Sequence, residues 1–170
     1  MIRVIIAEDE MLLRESLKGI IEVNPEIEVV GCATDGFEAF RLCTELYPDI
    51  VLMDIQMPGC DGIESTRLIK QKSRKTKVVM LTNFEDGDSI ARAVENGADG
   101  YVLKDITPKE LVNVIKNAAD GFLVFSGKTG GTLLRGFNIP EKPAHEAEER
   151  DIKALLKENE LKLLQLIAEG

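Results

Sequence analysis

Residues 50–62 read IVLMDIQMPGCDG, and this stretch constrains the fold of the chain more than any other. Ile50, Val51, Leu52 and Met53 form an unbroken apolar run that stops at a carboxylate, Asp54. Continuous hydrophobics of this length suit a strand buried on both faces, as in the parallel sheets of α/β proteins. Met57-Pro58-Gly59 then makes a turn, and Asp61-Gly62 opens a new segment. In open α/β sheets, ligands bind just outside the carboxyl ends of such strands, which is where Asp54 stands. An aspartate that merely begins a loop is the plainer alternative, and this stretch alone leaves both open.

Strand and helix alternate along the first two thirds of the chain. Residues 2–7 are apolar, rich in β-branched side chains, and end in Glu8-Asp9. Leu13, Leu17, Ile20 and Ile21 follow at helical spacing. Residues 27–30 read as a second strand. Asp35-Gly36-Phe37-Glu38 has the form of a capping box, and Ala39, Leu42, Cys43 and Leu46 continue its helix. The third strand leads to Asp54, and Asp61-Gly62-Ile63-Glu64 is a second box opening a helix to about Lys72. Residues 78–81 form a fourth strand ending in Thr82. A helix over 89–95 stops at Gly97, a suitable residue for the left-handed position after a helix. Residues 100–103 form a short fifth strand ending in Lys104. Thr107-Pro108-Lys109-Glu110 is a third box with proline at the first helical position, and Leu111, Val114, Ile115 and Ala118 make its apolar stripe. Strand–helix units joined by short connections imply one parallel sheet covered on both faces.

The 170 residues hold one full-sized domain and an appendage. A formal net charge of -9 argues against a general surface for nucleic acid or anionic membrane. Cys32, Cys43 and Cys60 lack metal-ligand spacing and, being three, cannot all pair, which fits a reducing compartment. Cys32 and Cys43 fall in apolar patterns, whereas Cys60 sits in the loop after Asp54 and is expected to be an accessible thiol. No run is long and apolar enough to cross a bilayer and no signal peptide is evident, so a cytoplasmic, membrane-free protein is expected.

The chemistry collects at the strand ends. If the first and third strands are neighbours, Glu8, Asp9 and Asp54 meet at the point where the sheet order reverses. Carboxylates so close repel and raise one another's pKa unless a cation neutralises them. An oxygen-only cluster suits Mg²⁺, which commonly takes one or two carboxylates plus phosphate oxygens. Thr82 and Lys104 add a hydroxyl and an ammonium suited to a group with several anionic oxygens. Aspartate can itself act as a nucleophile and form an aspartyl phosphate. Each residue has a simpler use: Glu8-Asp9 could cap the first helix, Thr82 could merely end a strand, and Lys104 could be solvated. The joint pattern favours one Mg²⁺–phosphoryl site.

AEDE at 7–10, LMDIQMPGCDGIE at 52–64, MLTN at 80–83 and GYVLKD at 100–105 resemble the receiver domain of two-component response regulators. The likeness covers roughly residues 1–122. It implies a flavodoxin-like doubly wound (βα)5 fold with a five-stranded parallel sheet in the order 2-1-3-4-5. It also implies that Asp54 accepts phosphate from a cognate sensor histidine kinase. Glu8, Asp9, Asp54 and the backbone carbonyl of Gln56 would hold Mg²⁺ or Mn²⁺, and Thr82 and Lys104 would contact the phosphoryl oxygens. Tyr101 matches the aromatic switch position, although an ordinary half-buried strand tyrosine is the reading without the family. Asn83 stands where many relatives carry a smaller residue, and narrows the expected access to Asp54.

Residues 123–151, glycine-rich and then acidic, read as a linker. Residues 152–170 resemble the first helix of a LuxR-type helix-turn-helix domain of the NarL class, with the major-groove helix missing. From Pro140 onward eight acidic side chains face five basic ones, a poor phosphate-binding surface. Specific DNA binding is therefore expected only of a full-length form, and a homodimer is expected on phosphorylation. The favoured dimer face is shared by the first and last receiver helices, with Val112 and Ile115 at its flank. Relief of contact with a DNA-binding domain, or a stand-alone phosphorelay module, are the alternatives. An aspartate-nucleophile phosphatase of the haloacid dehalogenase type needs a second aspartate two residues after the first, and Gln56 stands there instead. A phosphoacceptor rather than an enzyme is the expectation.

Overall fold

Each strand is followed by a helix that carries the chain back to the same edge of the sheet, so the strands must run parallel. The computed structural model describes residues 1–83 and 87–125. In chain order the elements are β1 (Ile2–Ala7), α1 (Met11–Glu22), β2 (Ile27–Ala33), α2 (Gly36–Leu46), β3 (Ile50–Asp54), α3 (Gly62–Lys72), β4 (Lys77–Thr82), α4 (Gly87–Glu95), β5 (Gly100–Leu103), α5 (Pro108–Ala119) and β6 (Val124–Phe125). They form one parallel sheet in the order β2-β1-β3-β4-β5-β6. The order reverses at β1, which lies between β2 and β3, and this places the crevice at the carboxyl ends of β1 and β3.

The strands alternate between two apolar layers. Val4, Ile6, Ile50, Leu52, Val79 and Val102 meet Leu17 and Ile21 of α1 and Leu111 and Ile115 of α5. Ile5, Ala7, Val51, Met53, Met80 and Tyr101 meet Ala39 and Cys43 of α2, Ile63 and Ile69 of α3, and Ile90 and Ala93 of α4. Every residue of β3 is buried, as its unbroken apolar run requires. Ile115, expected to flank a dimer face, is wholly buried and belongs to the core.

The caps repay closer inspection. Thr107 and Glu110 form a reciprocal capping box at α5. Asp35 and Asp61 each accept from the amide three residues on, at 2.8 Å. Their return halves are absent: Glu38 accepts from Thr34, and Glu64 pairs with Arg67. At Glu64 a charged donor outcompetes the N-cap amide, whereas at Glu38 the amide and hydroxyl of Thr34 take its place. Helix α1 has no side-chain cap from Glu10; its N-cap amide donates instead to Glu8 Oε1 at 3.2 Å, so Glu8 serves the helix start as well as the pocket.

Two departures from the expected architecture have a common cause. The sheet gains a sixth strand, since Val124 and Phe125 pair with Gly100 and Tyr101. A two-residue strand is too short to show any periodicity. Gly100 admits it, because a Cβ there would lie 2.7 Å from the Val124 carbonyl oxygen. Cys60, expected to be accessible, is only 3% exposed. Its carbonyl accepts from the Gly36 amide at 3.1 Å, which folds the loop under α2. Burial pushes the Cys60 thiol pKa up, and the charges of Asp61, Glu64 and Asp35 add to the effect, so the thiolate is disfavoured. The expected linker beyond Phe125 and the helix over 152–170 lie outside the described residues.

Gly62 fixes where the loop after Asp54 can lie. Its amide donates to the Ile55 carbonyl at 2.9 Å, and a Cβ there would fall 1.9 Å from the Asp54 carbonyl oxygen. Gly62→Ala is therefore expected to lower stability in urea unfolding by about 1–3 kcal/mol or more, as overpacking against backbone does. Gly19→Ala makes the control. Gly19 lies inside α1 with nothing within 4 Å of a new Cβ, and the change should add about 0.5–1 kcal/mol. Equal midpoints for the two variants would contradict the packing described at Gly62.

Candidate functional site

Strand register assembles the site. Ala7 of β1 is level with Met53 of β3, so Glu8 and Asp54 emerge side by side. Asp54 is level with Leu81, and Thr82 with Leu103, so Thr82 and Lys104 follow on the same edge. The Lys104 amide donates to the Thr82 carbonyl at 2.8 Å, tying the two strand ends together. Glu8 is in turn tied to β2, its amide donating to the Ala33 carbonyl at 3.0 Å. The guanidinium of Arg14, on α1, donates to the carbonyls of Glu8 and Asp9.

Glu8, Asp9 and Asp54 offer carboxylate oxygens that all lie within 4.8 Å of one another. Glu8 and Asp54 are buried, whereas Asp9 is exposed and leaves one side open to water. The Lys104 ammonium sits 2.7 Å from Glu8 Oε2 and 3.0 Å from Asp54 Oδ2. Burial alone would depress the pKa of this ammonium, but its contacts with Glu8 and Asp54 outweigh burial and raise it. Burial is also the largest influence on Glu8 and pushes its carboxyl up. Asp54 adds to the rise and Lys104 opposes it without cancelling it. Glu8 Oε2 is buried without a well-formed hydrogen bond, and the Lys104 ion pair is its compensation. One ammonium is thus shared among carboxylates that together carry more negative charge than it neutralises. A hard divalent cation fits the remaining donor set, which consists of oxygens alone.

The structure brings Glu8, Asp9, Asp54 and Lys104 into one cluster. Thr82 is buried at the adjacent strand end, with Asn83 exposed beside it. Gln56 lies exposed in the loop after β3. Tyr101 is fully buried rather than half-buried, and its register partner is Met80. Since side chains alternate, Thr82 and Tyr101 share the sheet face covered by α3 and α4, one step apart diagonally. Arg14 escaped the sequence reading. No motif marks it, and its role as a donor becomes visible only once α1 folds back over the preceding turn. No helix among the described residues is long and apolar enough to cross a membrane.

A family model described as "Response regulator receiver domain" matches residues 4–116. The chain is 38% identical to the transcriptional regulatory protein LiaR of Bacillus subtilis, over 100% of this chain and 78% of the relative. It is 32% identical to the nitrate/nitrite response regulator protein NarL of Escherichia coli, over 98% of this chain and 75% of the relative. A solved two-component response regulator of the LuxR family from Aurantimonas superposes with a TM-score of 0.74 at 35% identity, covering 78% of this chain and 95% of that one.

The raised pKa of Glu8 gives a signed prediction. A carboxyl that holds its proton more tightly in the fold than in the unfolded chain costs stability as pH rises from its ordinary value through the raised one. Above that window the ionised group remains unfavourable. Glu8→Gln should therefore raise the thermal unfolding midpoint of the metal-free protein at neutral pH. Saturating Mg²⁺ should stabilise the wild type by mass action and stabilise the Gln variant less. A metal-free variant that melts below the wild type would contradict the electrostatics described for the pocket.

Proposed function

The chain belongs to the response regulator receiver family, in its NarL/LuxR branch, and from that premise we propose that Asp54 accepts a phosphoryl group from a cognate sensor histidine kinase. Membership makes it a component of two-component signalling, and receivers are regulatory phosphoacceptors rather than enzymes in the usual sense. The single observation that carries the proposal is the buried Asp54 carboxylate with Lys104 at 3.0 Å and with Glu8 and Asp9 beside it.

In this reading an Asp54 carboxylate oxygen attacks phosphorus while the bond from phosphorus to the kinase histidine nitrogen breaks. An acyl phosphate forms and the nitrogen keeps the bonding electron pair. Lys104 holds an ammonium where negative charge gathers on the phosphoryl oxygens, and the Thr82 hydroxyl donates to one of them. Glu8, Asp9, Asp54 and the Gln56 carbonyl are the groups that would hold Mg²⁺ or Mn²⁺. Such an ion supplies charge neutralisation to a transferring phosphoryl group. Position 56 offers an amide where a hydrolase would carry an acid–base group, so the acyl phosphate persists long enough to signal.

The output follows from charge. A phosphoryl group adds up to two negative charges at Asp54 and draws Thr82 and Lys104 toward it. Thr82 and Tyr101 share one face, so movement of Thr82 alters the space open to Tyr101 and to α4 above it. Contacts made in only one state shift the population toward that state. The favoured output is a symmetric homodimer across α1 and α5. Met11 and Leu12 are 63% and 74% exposed on α1, and Val112 of α5 is half-buried. These residues take the place of Ile115 in the expected face. Control of transcription, with DNA bound by a full-length form in the cytoplasm, completes the reading.

Incubation with acetyl phosphate and Mg²⁺ should add one phosphoryl mass, acid-stable and base-labile, at Asp54. Uptake at the wild-type rate by Asp54→Ala would remove Asp54 as the acceptor. The beryllofluoride complex should sediment as a dimer at concentrations where untreated protein is largely monomeric. Equal sedimentation of the two forms across a wide concentration range would remove phosphorylation as the dimer switch.

A further inference from the structure

We propose that Arg14 is a positioning residue for the acidic pocket, holding the Glu8-Asp9 turn from the helix side. The inference rests on the reading of that pocket as a divalent-metal site. Arg14 Nη1 donates to the Glu8 carbonyl at 2.6 Å and to the Asp9 carbonyl at 3.2 Å. Few other bonds hold this turn. Glu10, at the N-cap of α1, makes no side-chain cap, and the first turn of α1 contains no acidic residue. The Glu10 amide instead donates to Glu8 Oε1 at 3.2 Å, drawing on the same carboxylate the pocket needs. Two carbonyls turned toward one guanidinium set the orientation of two successive peptide planes. They thereby set the direction in which the Glu8 and Asp9 side chains leave the backbone. Arg14 touches none of the three carboxylates in these bonds; it acts through the main chain.

The sign of the effect separates positioning from charge. A guanidinium beside a cation site repels the cation, so on charge alone its removal should tighten Mg²⁺ binding. Positioning predicts the reverse. Loss of a supporting partner behind a metal ligand typically weakens affinity by about 10-fold or more. Lysine keeps the charge but not the planar fork, so it is only a partial substitute.

The experiment is calorimetric Mg²⁺ titration of wild type, Arg14→Met, Arg14→Lys and Asp9→Ala, with unfolding midpoints measured alongside. The expected result is a dissociation constant raised about 10-fold in Arg14→Met, with a smaller rise in Arg14→Lys. A purely structural role would lower the midpoint and leave Mg²⁺ affinity of the folded protein unchanged, and that outcome overturns the proposal. Tighter binding by Arg14→Met overturns it as well. If Arg14→Met fails to fold, Arg14→Lys decides by the same criterion, wild-type affinity counting against positioning. Wild-type protein that binds no Mg²⁺ overturns the metal-site reading and this inference together. Binding that Asp9→Ala abolishes and the Arg14 variants leave intact overturns the inference alone.

Discussion

The structure turns on a local excess of negative charge. Glu8, Asp9 and Asp54 are brought within 4.8 Å of one another at the point where the sheet order reverses, and one ammonium, Lys104, stands against two of them. Burial raises the cost of every unneutralised charge in this crevice. The arrangement persists because the surrounding framework over-determines it. Strand register places Glu8 and Asp54 side by side, and α3 is pressed onto the end of β3 through Gly62. Stability spent here is recovered in the two apolar layers.

The opposite end of the same sheet shows what a satisfied charge cluster looks like. Asp99, just before β5, accepts from Lys70, from Lys77 at 3.2 Å and from the Val78 amide at 2.8 Å. Lys70 donates in addition to the Thr76 carbonyl at 2.7 Å. Burial depresses the Lys70 pKa despite the Asp99 charge beside it, yet every bond has its partner. Two cations serve one carboxylate there, and the bonds link β4, β5 and α3. This cluster needs no ligand. The residue types are the same at both ends of the sheet; the ratio of charges and the bonds to backbone distinguish a structural staple from a pocket with negative charge to spare.

Strand β6 changes what the edge of the sheet can do. It covers the first half of β5, and Phe125 packs on the layer that holds Tyr101. Part of the open edge that β5 would otherwise present for pairing is thereby closed. Val124 packs on the opposite layer, with Leu111 and Ile115 of α5, so β6 contributes to both faces of the sheet.

Much of this protein was legible in its sequence. The four apolar runs ending in Glu8-Asp9, Asp54, Thr82 and Lys104 fixed the parallel sheet and put the chemistry along one edge, because period and strand-end position are local properties. The Thr107–Glu110 box was readable for the same reason: both partners lie within one helical turn. Other features were decided only when distant segments met. Lys104 reaches Glu8 across 96 residues of sequence, and nothing near either residue announces the distance between them. The burial of Cys60 depends on Gly36, the sixth strand depends on Gly100, and Arg14 reaches the Glu8 carbonyl only after α1 has folded back. Ile115 matched a helical stripe, but sequence period could not tell its flank from its centre. Periodicity assigns a residue to a face. Close approach of backbones, which depends on how elements pack, decides what that face touches.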